Sequence, residues 1–290
     1  MDATLFAELQ ALIARHAGAD GLRRPLPGLL VAAAPAPTPL TAYVTEPVLS
    51  VVAQGAKHLV LGTQDLDYQA GQYLVASVDL PVSGHVSQAS AARPFLGMSL
   101  TLKPDVITAL MLDTGLPRGP SAEPPGIAVS ALDDGLLEPL VRLLRLLERP
   151  ADLPVLAPAI EREILWRLMR GPQGAMVSQL GLADSTMAQI SRAIRWIRQH
   201  HAEPFHIEDV AGQVGMSPTS FHRHFRRVTS LSPIQFQKQI RLQQARSLLL
   251  SSSQNVAAVG FAVGYDSPSQ FSREYRRLFG VAPGQHRASA

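Results

Sequence analysis

Hydrophobic positions along this chain change their spacing several times, and each change marks a different kind of element. Leu5, Leu9, Leu12 and Ile13 recur at helical intervals, so residues 4–16 are expected to form a short amphipathic helix. Pro25, Pro27, Pro35, Pro37 and Pro39 then exclude helix and predict loop or extended chain. Between 40 and 103, short runs bounded by Gly, Asp or Pro predict strands at 46–53, 57–62, 65–69, 72–77, 82–87 and 95–102. Evenly spaced short strands with tight turns imply a sandwich or barrel. Leucine-rich helical spacing then predicts helices at 105–115, 134–148 and 157–169, the last two separated by Pro150 and Pro154. Those two amphipathic helices have two uses open to them: closing the end of the β-rich part, or pairing with a second subunit. Turn-rich segments at 171–174 and 181–185 place a boundary between about 171 and 188.

Beyond that boundary the chain repeats itself. Ser217-Pro218-Thr219-Ser220-Phe221-His222-Arg223-His224-Phe225-Arg226-Arg227 aligns without a gap, fifty residues on, with Ser267-Pro268-Ser269-Gln270-Phe271-Ser272-Arg273-Glu274-Tyr275-Arg276-Arg277. Each unit reads as a helix: Ser217 and Ser267 are N-caps, and proline is tolerated at the first helical position. Phe221/Phe225 and Phe271/Tyr275 are i, i+4 pairs that mark a buried face, from which Arg223 and Arg273 project away. A shorter helix ending in glycine precedes each unit, with apolar pairs Val210/Val214 and Val259/Val263. Ala211 and Gly260 are small where two helices would cross, and Gly215 and Gly264 supply the left-handed residue of a tight turn. That succession is a helix-turn-helix, present twice. Between the copies, residues 233–250 predict one helix of about five turns, roughly 27 Å at 1.5 Å per residue. Such a rod can hold two recognition helices about one duplex turn apart, with some bending of the DNA expected.

Charge sharpens this picture. The chain carries a net charge of +3, but residues 190–290 hold thirteen Lys and Arg against five acids, leaving the remainder net acidic. A segregated basic third suits a polyanion partner, although a solvated basic face would give the same count. The absence of cysteine excludes disulfides, thiolate metal sites and cysteine nucleophiles, and fits a reducing cytoplasm. The acidic, amphipathic N-terminus is expected to be neither a signal peptide nor an anchor, and no apolar run is long enough to span a membrane.

With these motifs in hand, residues of about 188–286 resemble the AraC family DNA-binding domain, above all through Val259-Gly260-Phe261-Ala262-Val263-Gly264-Tyr265-Asp266-Ser267-Pro268 and Gly280-Val281-Ala282-Pro283. Residues 40–170 are similar, in architecture more than motif, to an AraC-type effector domain. The fold expected is therefore two-domain α+β: a cupin-like β-barrel with amphipathic helices over 1–185, and an all-α domain with two helix-turn-helix units joined by a long helix over 186–290. The resemblance implies base-facing roles for Thr219, His222 and Arg223, and for Ser269, Ser272 and Arg273. Arg226, Arg227, Arg276 and Arg277 are expected on phosphate, and Arg192 and Arg195 are either phosphate contacts or solubility charges. The expected partner is double-stranded DNA, with a small-molecule effector, RNA polymerase for an activator, and a homodimer also implied. The competing reading is an N-terminal module that binds a protein and no small molecule.

Enzymatic readings are set aside. A metal-bearing cupin needs a His-x-His pair with a downstream Glu and His, whereas the barrel has only His58 and His85, expected to stand far apart and unaccompanied. His222 and His224, at i and i+2 of a helix, point to different sides. His200 and His201 are expected to cap a helix C-terminus, and Asp65 and Asp67 to be turn residues. No cofactor, phosphate loop or catalytic constellation is found. DNA-repair methyl acceptors with an AraC-type domain require a cysteine that this chain lacks.

Overall fold

The computed structural model describes residues 1–18, 21–115, 124–204, 206–252 and 254–288. Ten strands and twelve helices are formed by the described residues. The N-terminal helix α1 (Ala3–Ala17) is capped by Asp2, whose carboxylate accepts from the amides of Thr4 and Leu5. Strands β1 (Leu22–Leu26), β2 (Leu29–Ala34), β3 (Thr41–Val44), β4 (Val48–Gln54), β5 (Ala56–Leu61), β6 (Gln64–Gln69), β7 (Gln72–Ala76), β8 (Pro81–Gln88) and β9 (Phe95–Thr101) follow. After α2 (Pro104–Thr114) the chain returns as β10 (Ile127–Ala131). The strands form two antiparallel sheets, ordered β1-β2-β9-β4-β7-β10 and β3-β8-β5-β6, stacked in a jelly-roll-like arrangement.

The six strands expected between 46 and 102 are present within two residues at each end. The sheet starts earlier than expected, however, because the proline-rich stretch contributes β1 and β2. Pro25 is tolerated since β1 is an edge strand, and the β1–β2 register is irregular between Arg23 and Leu26, around it. Strands β3 and β10 were also not anticipated; both lie at sheet edges.

The large sheet is buried on both faces, so alternate residues of one strand feed different cores. Leu49, Val51 and Ala53 of β4 face α1, α3 (Asp134–Leu146) and α4 (Leu153–Arg170), as do Tyr73 and Val75 of β7. Leu136, Leu140 and Leu144 of α3 and Ile164 and Leu168 of α4 complete that layer. The two leucine-rich helices thus cover the sheet, leaving only the start of α4, Val155 and Leu156, as exposed apolar surface on that pair. On the other face Val52, Leu74 and Ala76 meet Leu59, Leu61, Tyr68, Val82 and Val86 of the small sheet, and these side chains fill the barrel interior.

That second core does not stop at the β-domain. A short α5 (Gly174–Leu180) leads to α6 (Thr186–Gln199), α7 (Ile207–Gln213), α8 (Pro218–Thr229) and α9 (Pro233–Ser251). Their buried residues Met187, Ile190, Ile194, Val210, Phe221, Phe225, Leu231 and Phe236 continue the barrel core without a break. At the seam Gly126 N–H donates to Val228 O (3.0 Å), and Ser230 Oγ donates to Gln64 Oε1 (3.1 Å). A side chain on Gly126 would have its Cβ 2.3 Å from Val228 O, so only glycine permits this approach. The last three helices, α10 (Val256–Ala262), α11 (Pro268–Phe279) and α12 (Pro283–Ala288), belong with a separate small core of Leu242, Ala245, Leu249, Val259, Val263, Tyr265, Phe271 and Tyr275.

Candidate nucleic-acid interface

Both expected helix-turn-helix units form, α7 with α8 and α10 with α11. Ser217 Oγ accepts from Ser220 N and Ser267 Oγ from Gln270 N, each at 3.3 Å, so both N-caps are in place. Gly215 (φ 72°) and Gly264 (φ 89°) carry the left-handed turns. In the second unit the turn is also closely packed, since a Cβ on Gly264 would lie 2.1 Å from Ala202 O. Gly260 meets Phe271 at a distance that leaves a Cβ only 3.0 Å from the ring, the close crossing that its size implied.

The aromatic pairs form the buried faces. Phe221 and Phe225 have ring centroids 5.3 Å apart, Phe225 meets Phe236 edge-on at 5.4 Å, and Phe271 meets Tyr275 at 5.5 Å. Helix α9 serves both units: Phe236 and Ile240 near its start enter the first core, and Leu242, Ala245 and Leu249 enter the second. With 19 residues it spans on the order of 28 Å.

On the opposite faces Thr219, His222, Arg223, Arg226 and Arg227 of α8 are exposed, as are Ser269, Arg273, Arg276 and Arg277 of α11, while Ser272 is half-buried. Arg223 and Arg273 occupy equivalent positions of the repeat. Arg223 Nη2 lies 3.2 Å from His224 Nε2, which steadies the guanidinium against its own helix. Arg192 and Arg195 are exposed too, and they line a cleft between α6 and the β-domain.

Several cations in the basic third have structural work. Arg241 of α9 donates from Nε to His201 O and from Nη1 to Gly264 O, both at 2.6 Å, and lies 6.0 Å over the Tyr265 ring. One turn earlier Gln237 Nε2 donates to His201 O (3.1 Å) and Glu203 O (2.8 Å). Together they tie the loop after α6 to the turn of the second unit. Glu274, buried where the first repeat has His224, accepts from Tyr265 Oη (2.9 Å), Gln270 Nε2 (3.1 Å) and Lys238 Nζ (3.1 Å). Burial pushes its carboxyl up, but the hydrogen bonds from Gln270, Tyr265 and Lys238 outweigh it, and the group ends below the ordinary carboxylate range. The same burial and the Glu274 bond push the Tyr265 phenol well up. Sequence reasoning missed this network; the one signal was an acid inside an otherwise arginine-rich repeat. Arg198 is likewise taken up, paired with Asp79 of the β-domain.

The histidines fall into place. His200 and His201 turn Nδ1 onto Trp196 O (3.0 Å) and Arg198 O (2.9 Å), at the C-terminus of α6 as expected. His58 and His85, expected far apart and unaccompanied, are instead brought together by the pairing of β5 with β8 as cross-strand neighbours, with ring centroids 5.4 Å apart. Asp65 and Asp67 are strand residues and not turn residues: both flank His58, with Asp67 Oδ1 2.8 Å from its Nδ1. Among the described residues no group of three or more His, Asp or Glu is placed to hold a metal ion.

Comparison with known proteins agrees with this geometry. Residues 25–176 match the model of the AraC-type transcriptional regulator N-terminus, and residues 210–289 match a helix-turn-helix domain model. The chain is 29% identical over 156 residues to the HTH-type transcriptional activator RhaS of Escherichia fergusonii, covering 54% of this chain and 56% of that protein. It is 26% identical over 145 residues to the HTH-type transcriptional regulator ArgR of Pseudomonas aeruginosa, covering 50% and 44%. The match thus spans about half the length of these relatives. The fold is shared over nearly the whole chain with ToxT of Vibrio cholerae. The unsaturated fatty acid-bound wild-type protein of strain SCE256 aligns at a TM-score of 0.54 and 11% identity, over 91% of this chain and 96% of that one. ToxT of strain O395 bound to (E)-4-(8-methylnaphthalen-1-yl)but-3-enoic acid aligns at 0.57 and 10%, over 90% and 99%. Two sheets under a helical layer, a duplicated helix-turn-helix and a family model covering more than half of the residues converge: the chain belongs to the AraC-type transcriptional regulators.

Proposed function

We propose that this protein is a sequence-specific, double-stranded-DNA-binding transcription regulator, not an enzyme, acting in the cytoplasm under control of a small-molecule effector. The observation that carries the reading is the duplicated, capped recognition helix. Two of them, with arginines at equivalent exposed positions, are fastened to one rod whose two halves enter their separate cores. Helices α8 and α11 enter successive major-groove segments, about 34 Å apart along the duplex. Arg223 and Arg273 each present a planar fork to guanine O6 and N7, worth about 1–3 kcal/mol of discrimination. Thr219, His222, Ser269 and Ser272 flank them on the base-facing side, and Arg226, Arg227, Arg276 and Arg277 neutralise phosphate.

Effector control is supported by the seam. The β-domain and the first unit share one core, so any ligand that shifts the β-domain biases the pose of α8. ToxT, of the same fold, has been solved with a fatty acid and with a naphthyl butenoic acid bound. The functional halves are taken as 1–185 and 186–290, an activator would in addition contact RNA polymerase, and a homodimer would use the N-terminal half. Selection from randomised duplexes tests the core of the proposal. Wild type should return a bipartite site, and Arg223→Ala should relax one half of it by about tenfold or more per base pair. An unchanged site for Arg223→Ala would remove the assignment.

A further inference from the structure

A cleft of about 390 Å³ lies between the two halves of the molecule, walled on one side by Val78 and Pro104 of the β-domain and on the other by Met187 and Ala188 of α6. That volume is at the small end of the range for ligand sites, about 300–1,000 Å³. Arg192 and Arg195 stand at its mouth. Arg192 Nη1 donates to Ala183 O (2.9 Å), which anchors one arm of its fork, and among the described residues neither arginine forms an ion pair. The one acid lining the cleft, Asp79, is neutralised by Arg198, one turn further along α6. The mouth therefore holds two uncompensated guanidinium groups above apolar walls.

We propose that this cleft binds a small oxyanion, a carboxylate or phosphate carried on a compact apolar body, and that Arg192 and Arg195 receive its headgroup. The inference rests on the effector control proposed above and supplies it with a site and a ligand class. It also gives the two arginines a role other than phosphate contact on DNA. Guanidinium pairs are well suited to carboxylate and phosphate oxygens because the planar fork can donate two parallel hydrogen bonds. Occupancy has a route to the DNA. The face of α6 away from the arginines carries Ile190, Ile194 and Ile197 into the core that holds Phe221 and Phe225 of the first recognition helix. A ligand that draws α6 towards the β-domain moves α8 with it.

The test uses the full chain at constant ionic strength, with sodium benzoate and phenyl phosphate as probes and benzyl alcohol as the neutral control. Benzoate or phenyl phosphate should raise the melting temperature saturably, and benzyl alcohol should not. Arg192→Gln/Arg195→Gln should weaken anion binding about tenfold or more, and Arg192→Lys/Arg195→Lys should recover part of it. Benzoate and phenyl phosphate differ in which headgroup the mouth prefers. The proposal is overturned if neither anion shifts the melt, or if the double Gln variant responds as wild type does. It is also overturned if that variant instead lowers the salt slope of DNA binding by about 1.8, the mark of two lost phosphate contacts. DNA affinity measured with and without the anion separates the two readings: arginine-dependent anion binding that leaves DNA affinity unchanged keeps the site and removes the effector control.

Discussion

Gly215 and Gly264 hold the same place in the two turns, yet their surroundings differ. Gly264 combines φ 89° with the carbonyl of Ala202, which a Cβ would approach to 2.1 Å, whereas a Cβ on Gly215 would meet only the flexible end of Gln189 at 3.7 Å. Gly215→Ala is therefore expected to cost about 1–2 kcal/mol, the ordinary strain of a left-handed alanine. Gly264→Ala must in addition push the loop after α6 away and should cost roughly 3 kcal/mol or more, read from urea unfolding midpoints. Glu274 makes a second prediction. Its folded carboxyl lies below the ordinary range because of bonds from Gln270, Tyr265 and Lys238, which outweigh its burial. The stabilisation is present above the unfolded carboxylate pKa and is lost as pH falls through the lower folded value. Glu274→Gln should thus be less stable than wild type at neutral pH, with the gap closing on acidification. Unfolding curves at a series of pH values check this, and a gap that widens in acid would contradict it.

At the scale of elements, the helices with strong periodicity and caps were legible in sequence because local chemistry alone determines them. Ser217 and Ser267 cap, Pro218 and Pro268 start, and Phe221/Phe225 and Phe271/Tyr275 bury one face. The strands β1 and β2 were not legible, because prolines usually end regular structure. Only the edge position of β1, a property of the whole sheet, makes Pro25 acceptable. The contacts of Glu274, Arg241 and Gln237 were hidden for a related reason: each reaches across to another element, and spacing along one helix says nothing of such partners. The basic count in turn overstated what faces DNA, since Lys238, Arg241 and Arg198 are engaged within the fold. The exposed pairs at the ends of α8 and α11 should carry the electrostatics. Arg226→Ala and Arg276→Ala should each lower the salt slope of DNA binding by about 0.9 while leaving the preferred sequence unchanged. A changed preference would make them readers of bases.

For the whole molecule the decisive feature is the shared core. Val228 and Leu231, at the end of the first recognition helix, are buried among residues of the β-domain, and a Cβ on Gly62 would sit 2.9 Å from Leu231 Cδ2. A fragment of 186–290 would uncover that apolar surface. Its α8 amides are expected to exchange with solvent at least tenfold faster than in the full chain, while α11, on its own core, changes little. Equal protection of α8 in both would show that the seam contributes nothing to the first unit.

The two copies of the repeat are therefore not equal partners. The packing side of α8 shares its core with the β-domain, so under the proposed effector control that copy is the one that relays the signal. The copy built on α11 is held by α9 and by the loop after α6, and its small core of eight buried side chains is separate from that of the β-domain. If α11 reads bases as proposed, altering its exposed face would recruit new target genes while leaving the proposed effector response of the other half in place.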